Sequence, residues 1–284
     1  MAKKKLAVAI PASVISDTPH LREKTSKVGL IGRAAAIFRV SEIVVYPDNP
    51  KASQSADVDL IATLLAYMET PQYLRKRLFK LEPRLQYAGI LPPLRTAHHP
   101  LNREVKNLKV GEYREGVVLS ETREGALVDI GVERPVLMRE KQSAVGKRLT
   151  IRIAKVGEEV EVQTASRDEV PFYWGYTVSV ERHSFNKFLA NRNFDLTIAT
   201  SKFGTKFAEV AEKIAEKWKK ANSILVGFGA PTRGLYEIAR DEGANLNGIV
   251  DFVVNTVTDQ GTETVRTEEA LLASLAILNV QFDC

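Results

Sequence analysis

Apolar and polar positions recur with two different periods along the chain, and the change of period divides it. Residues 6–10 form an unbroken apolar run closed by Pro11, and residues 43–46 form another closed by Pro47, the pattern of strands buried on both faces. Between them Leu21, Thr25, Val28, Ile31, Ala35 and Phe38 return at helical spacing, with Asp17 or Thr18 placed to cap the start ahead of Pro19. A β-α-β unit is predicted. A second helix follows, with Val58, Ile61, Leu64, Leu65 and Met68 on one face, and residues 73–85 read as a third, basic helix.

From about Pro92 the period becomes two. Leu91-Pro92-Pro93-Leu94 and His99-Pro100 punctuate a linker, after which segments 113–120, 126–130, 135–138, 148–155 and 160–163 are short, β-branched and separated by glycines. Five strands at this spacing predict a small barrel of the OB type. The stretches 111–118 and 125–131 resemble the S1 variety of that fold found in RNA-binding proteins. Residues 101–165 carry twelve basic and eleven acidic side chains, so any RNA contact there is local, and a purely architectural insert fits equally. After Pro171 the β-α alternation resumes. Strands are predicted at 176–180, 195–200, 223–226 and 248–254, and the clearest helix sets Phe207, Val210, Ile214 and Trp218 opposite Lys213, Glu216, Lys217 and Lys220. A final helix runs from near Arg266 through Leu278. The fold class is therefore α/β: a parallel-sheet domain made of both chain ends, residues 1–92 and 169–284, with an OB-like β-barrel inserted at 93–168.

Composition narrows the class. Hydrophobic residues at 44% and charged residues at 26% are globular values and exclude a disordered or fibrous chain. No window approaches 18 consecutive apolar residues. The start, a lysine triplet followed by five apolar residues before Pro11, is too short for a signal segment, so a cytoplasmic location is expected, nuclear or nucleolar in a eukaryote. The single cysteine, Cys284, allows no internal disulfide, and four scattered histidines lack ligand spacing; no metal is expected. The net charge of +5 is segregated. Residues 1–39 hold eight Lys/Arg against two acids and residues 71–95 six against Glu82, whereas residues 241–284 hold Arg266 against eight acids. A basic amino-terminal part attracts a polyanion by counterion release, or is merely a solvated face.

Two loops are candidates for ligand binding. Residues 224–235 are a strand entering a Gly-rich turn that opens a helix; Gly227 and Gly229 permit close backbone approach, and Thr232 is placed to cap the helix. The pattern is neither a P-loop nor G-x-G-x-x-G, although Asp251 lies near the offset of a ribose-binding acid. Read alone, the turn fits a ligand loop or a plain tight turn. Residues 255–265 are polar and Thr-rich, longer than the roughly 2–6 residues usual for such links, and lead to a helix start at Thr267-Glu268-Glu269.

Three blocks, in order, carry a family resemblance. Val265-Arg-Thr-Glu-Glu-Ala-Leu-Leu272 looks like the last motif of SPOUT methyltransferases, closest to the branch that methylates N3 of a ribosomal RNA uridine. Val28-Gly29-Leu-Ile-Gly-Arg33-Ala-Ala-Ala-Ile-Phe38 is similar to the first SPOUT motif of tRNA ribose methyltransferases, with Lys27 where an Asn is usual. With a barrel between the halves, the arrangement resembles the archaeal and eukaryotic SPOUT subgroup that carries an OB-like insertion. That resemblance implies a trefoil-knotted sheet, S-adenosyl-L-methionine as cofactor, and a homodimer whose interface completes the site. It carries cofactor binding onto Thr200 and Ser201; onto Gly227, Phe228, Gly229, Ala230 and Pro231; and onto the stretch 255–267, with Asn255, Thr256, Val257, Gly261, Thr262, Val265, Arg266 and Thr267. The acids Asp259, Glu263, Glu268 and Glu269 fall there too, either favouring a sulfonium cation or simply solvating a helix start. Arg33 takes the catalytic position, orienting or activating the RNA acceptor. No side chain is marked as the base that would deprotonate uridine N3.

RNA is the expected partner, with no membrane. Arg22, Lys27, Arg75, Arg77, Lys80 and Arg84 are the candidate backbone contacts, a solvated basic helix being the alternative for the last four. The run Phe172, Tyr173, Trp174 and Tyr176 either stacks a flipped base or packs a domain junction. Three functions follow: methylation of a ribosomal uridine at N3, ribose 2′-O methylation, or a non-catalytic RNA-binding or assembly role for the barrel.

Overall fold

A computed structural model describes residues 4–140 and 144–282; Lys3 of the lysine triplet and Cys284 lie outside the described residues. In chain order the elements are β1 (Lys5–Pro11), α1 (Leu21–Ile37), β2 (Glu42–Tyr46), α2 (Ser55–Glu69), α3 (Gln72–Leu78), β3 (Tyr113–Glu121), β4 (Ala126–Asp129), β5 (Val136–Met138), β6 (Arg148–Lys155) and β7 (Glu161–Thr164). There follow β8 (Thr177–Val180), α4 (Phe185–Asn191), β9 (Leu196–Lys206), α5 (Phe207–Lys220), β10 (Ser223–Gly227), α6 (Leu235–Asp241), α7 (Leu246–Ile249), β11 (Phe252–Asn255) and α8 (Thr267–Phe282). Two compact units emerge: Met1–Met68 with Pro83–Pro93 and Tyr176–Cys284, and Glu69–Glu82 with Leu94–Gly175. Residues 69–82, read from sequence with the first α/β segment, cluster with the barrel.

The first unit is a six-stranded sheet in the order β11-β9-β10-β1-β2-β8, with every neighbouring pair parallel. Ala7, Val8, Ala9 and Ile10 on β1 are all buried. A strand covered on both faces gains nothing from alternation, which is why this one reads as a continuous apolar run. On one face Tyr46, Phe185, Phe188, Leu225, Leu235 and Ile238 form the core. Helix α1 starts at His20 without a side-chain cap; Asp17 is instead held by Lys27, and Thr18 donates to Asp17. Strand β11 starts at Phe252, later than the predicted residue 248, because Asn245 caps a helical turn at 246–249.

The second unit is a closed barrel, β3-β4-β5-β7-β6, in which only β5 and β7 run parallel. Its core is Val118, Val128, Ile130, Met138, Ile151, Ile153 and Val162, the inward-facing set of period-two strands. The topology is consistent with the OB type. Helix α3 ends at Leu78, short of the predicted residue 85. Phe79 is extended, and Pro83 biases residue 82 away from helix, leaving a single 3₁₀ turn at 83–85. At Gly125, with φ +149°, a Cβ would lie 2.1 Å from the Met138 carbonyl oxygen, so the tight passage there requires glycine.

Beneath the barrel lies a buried ion cluster. Arg148 donates from Nε to Glu115 and from Nη1 to Glu69, both at 2.6 Å; Arg167 reaches Glu69 at 2.8 Å, and Thr150 and Trp174 donate to Glu115 at 2.8 and 2.5 Å. Burial pushes the Glu69 carboxyl up, but the His98 hydrogen bond and the Arg148 charge outweigh it and hold the group at about 2. Of the aromatic run 172–176, Trp174 and Tyr176 are buried and closed to a base, while Phe172 is exposed. Trp174 is buried against His98, Tyr113 and Phe172 within this unit, and Tyr176, in the other, donates to the Leu65 carbonyl at 3.1 Å.

Candidate functional site

At the carboxyl ends of β9, β10 and β11, where open α/β sheets place their ligands, three segments converge. The first is an irregularity. Ala199 pairs with Val253 and the next pair is Thr205 with Val254, so residues 200–204 pass along β9 with no counterpart on β11. Such a bulge turns side chains out of the sheet and recurs beside active sites. Gly204 closes it: a Cβ there would lie 2.7 Å from Val254 backbone. The second segment leaves β10 after Gly227, and the third is the loop from Asn255 to the start of α8.

Hydrogen bonds tie the three together. Thr200 Oγ1 donates to the Gly227 carbonyl at 3.0 Å, Thr267 Oγ1 to the Gly229 carbonyl at 2.9 Å, and Asn255 Nδ2 to the Lys202 carbonyl at 3.0 Å. Tyr46 donates to the Phe228 carbonyl at 2.8 Å, and Thr256 and Ser274 share a 2.7 Å hydroxyl contact. Between the segments opens a cleft of about 320 Å³, inside the size range of small-molecule sites. Thr200, Ser201, Phe228, Gly229, Ala230, Asn255, Thr256, Val257, Val265 and Thr267 line it, as does Pro231. Gly229 lets the turn close tightly, since a Cβ there would sit 3.0 Å from both Gly234 Cα and Leu235 N.

Other candidates stand elsewhere. Gly227 lies behind the wall, where a Cβ would meet the Phe185 ring at 2.9 Å; Gly261 and Thr262 are exposed on the outer turn, and Arg266 donates its backbone N–H to Glu269 at 2.9 Å; none of these lines the cleft. None of Asp259, Glu263, Glu268 or Glu269 lines it either; the acid that does is Glu237, whose carboxylate accepts the Gly234 N–H at 3.0 Å. That bond makes Gly234, not Thr232, the start of α6. Asp251 is a structural pin, accepting from Thr197 N–H at 2.8 Å and from Lys217 at 2.5 Å.

Lys27 is not available to RNA. It is buried and ion-paired with Asp17 at 2.7 Å and with the buried Glu268 at 3.4 Å, linking α1 to the first turn of α8. Burial raises the Asp17 carboxyl, yet the Lys27 hydrogen bond leaves it below its ordinary value. Arg33, half-buried on α1, donates to the Pro93 carbonyl at 2.8 Å and does not line the cleft of its own chain. Arg22 and Lys80 are exposed, Arg75 donates to the Thr70 carbonyl at 2.9 Å, Arg77 to Asp129 at 3.2 Å, and Arg84 lies 3.9 Å from Asp59. Sequence reasoning missed Lys202, Phe203, Tyr236 and Gln260 in the wall; only the Gly-Thr-rich character of the neighbouring loops pointed there. Among the described residues, no helix is long and apolar enough to cross a membrane.

Comparison with known proteins agrees with this arrangement. A family model described as "Putative RNA methyltransferase" matches residues 5–278. The 28S rRNA (uridine-N(3))-methyltransferase of Mus musculus is 35% identical over 305 residues, covering 96% of this chain and 75% of its own. The enzyme of the same name from Homo sapiens is 32% identical, with 96% and 77% covered. An uncharacterized protein of Halobacterium salinarum is 33% identical over 96% of this chain and 98% of its own. A parallel sheet with a converging loop cleft, an inserted barrel and a match across nearly the whole sequence place the chain in the SPOUT family of RNA methyltransferases.

Proposed function

We propose that the cleft binds S-adenosylmethionine and that the chain transfers its methyl group to N3 of a uridine in ribosomal RNA. The observation carrying this reading is the convergence of the bulge 200–204, the Gly229 turn and the Thr-rich loop on one cleft of about 320 Å³. Its walls fit such a molecule. Ala230, Pro231, Val257 and Val265 offer an apolar slot for a purine ring, the surrounding backbone offers partners for its polar edge, and glycine at 229 lets the second loop fold tightly against residues 233–235. When bound, the cofactor supplies an electrophilic methyl group. The chain's own task is to hold the acceptor in line with it at near-attack distance.

The sheet in this reading is threaded as a trefoil knot, and two copies pair through α1 and α8. Helix α8 is apolar all round, the character of a fully covered helix, yet Leu272 and Val280 are exposed, as are Leu30 and Ile37 on the contacting α1. Pairing across a two-fold covers these residues and carries Arg33 toward the partner's cleft, where it orients the acceptor. Arg22, Arg75, Arg77, Lys80 and Arg84 contact RNA backbone. The unit of residues 1–68, 83–93 and 176–284 is the methyltransferase domain, and the barrel unit of residues 69–82 and 94–175 is the insertion.

Nucleoside mass spectrometry of ribosomal RNA from cells with and without the protein tests the reading. Loss of 3-methyluridine at one position is expected; loss of a 2′-O-methyl nucleoside transfers the activity to ribose, and an unchanged profile leaves a non-catalytic RNA-binding role.

A further inference from the structure

N3 of uridine lies on the Watson–Crick edge, so a base that is methylated there must be unpaired and displaced from its stack, and the displaced base needs a surface to rest on. Three aromatic residues line the cleft: Phe203, Phe228 and Tyr236. Phe228 is 1% exposed, walled in behind the turn, and Tyr236 packs on the sheet's core while its hydroxyl meets Asn247 at 3.2 Å. Phe203 differs. It is 75% exposed, a large apolar ring held in water at the rim of a polar cleft.

Its position is built. Phe203 stands on the five-residue bulge of β9, its N–H donating to Ser201 Oγ at 3.2 Å, and Gly204 beside it is pressed against the β11 backbone. The Lys202 ammonium lies 5.2 Å from the ring centroid and 3.4 Å from the Glu263 carbonyl oxygen of the third loop. An exposed ring with a cation beside it is the pair that single-stranded nucleic acid engages: the ring takes a base face, the cation the neighbouring phosphate.

We propose that Phe203 and Lys202 form the acceptor-nucleotide subsite, in which the target uracil stacks on the Phe203 ring and Lys202 holds an adjoining phosphate. This deepens the proposed function and rests on it for the identity of the acceptor. Phe203 positions the base; it takes no part in the bond-making step.

Steady-state methylation of a ribosomal RNA transcript is compared in the wild type and in Phe203→Ala, Phe203→Trp and Lys202→Ala, together with S-adenosylmethionine affinity by equilibrium dialysis. For Phe203→Ala the expectation is a loss of about tenfold or more in kcat/KM for RNA, unchanged cofactor affinity, and restoration by Phe203→Trp. Lys202→Ala lowers the slope of log affinity against log salt by about 1. In Phe203→Trp, a short oligouridylate should quench the added tryptophan emission and S-adenosylmethionine alone should not. Weakened cofactor binding with unchanged RNA kinetics assigns the ring to the purine slot and overturns the proposal, as does a Phe203→Ala variant with wild-type kinetics. Failure of the underlying reading is separable: a wild type that neither binds the cofactor nor methylates RNA refutes that reading, while oligouridylate quenching still decides the subsite.

Discussion

The cleft and the interior of the barrel unit are both polar, in opposite ways. In the barrel unit the charges face one another: Glu69, Glu115, Arg148 and Arg167 are drawn together within 2.6–2.8 Å, and the acids are closed off from water. In the cleft the wall mixes hydroxyls, carbonyls and glycine with Ala230, Pro231, Val257 and Val265, and of its charged members Lys202 and Glu237 are exposed while Arg233 is turned onto the buried Asp48 at 3.0 Å. The buried charge cluster of the barrel unit therefore serves folding. The binding region is marked by small residues, a register jump and an open volume.

The two regions should respond to different perturbations. The largest expected effect is on stability: Arg148→Met leaves two buried carboxylates without their shared cation and should cost about 3–5 kcal/mol, read by denaturant unfolding of the barrel, with little change in cofactor affinity once folded. Next, Gly229→Val places a branched side chain in a space where a Cβ already meets Gly234 and Leu235 at 3.0 Å. Relieving that clash shifts the turn that lines the cleft, so cofactor binding should weaken by about tenfold or more by calorimetry, with the barrel unaffected. Thr267→Val removes one neutral hydrogen bond between the second and third loops, worth about 1 kcal/mol, and should weaken the cofactor about fivefold. If Thr267→Val instead melts the protein while Arg148→Met impairs binding alone, the contrast is inverted.

Acid separates the regions most gently. The Glu69 carboxyl sits at about 2 in the folded protein against an ordinary value of 4.5. A depressed carboxyl stabilises the fold fully above its unfolded value, and that contribution disappears as pH falls toward the folded value. Barrel stability should therefore be insensitive to this group between pH 5 and 8 and fall from about 4.5 downward, followed by Trp174 fluorescence. Glu69→Gln should remove that acid dependence.

Much of the fold was legible because its signals are local. The unbroken run of β1, the stripe of α5 and the glycine-punctuated strands of the barrel each record which faces are buried, and the structure reproduces all three. The second and third cleft loops were also visible, through Gly229 and a Thr-rich link too long to be a plain connection. What escaped depends on pairing between distant segments. The predicted strand ended at residue 200, with Thr200 and Ser201 assigned to a loop by resemblance alone; β9 continues to Lys206, and only the register of β11 turns 200–204 into a bulge and Phe203 into a rim residue. Likewise Lys27 looked like a surface cation until Glu268, from the far end of the chain, buried it. The early end of α3 and the uncapped start of α1 were misread for the opposite reason: local helix signals there lose to Pro83 and to the Lys27 claim on Asp17.

The central claim is that three backbone-rich segments enclose one methyl donor. Equilibrium dialysis of radiolabelled S-adenosylmethionine against wild type and Gly229→Val, with circular dichroism to verify both folds, tests it most directly. Saturable binding at one molecule per chain, lost in the variant, is the expected result. Binding undiminished by Gly229→Val, or no binding by the wild type, would contradict it.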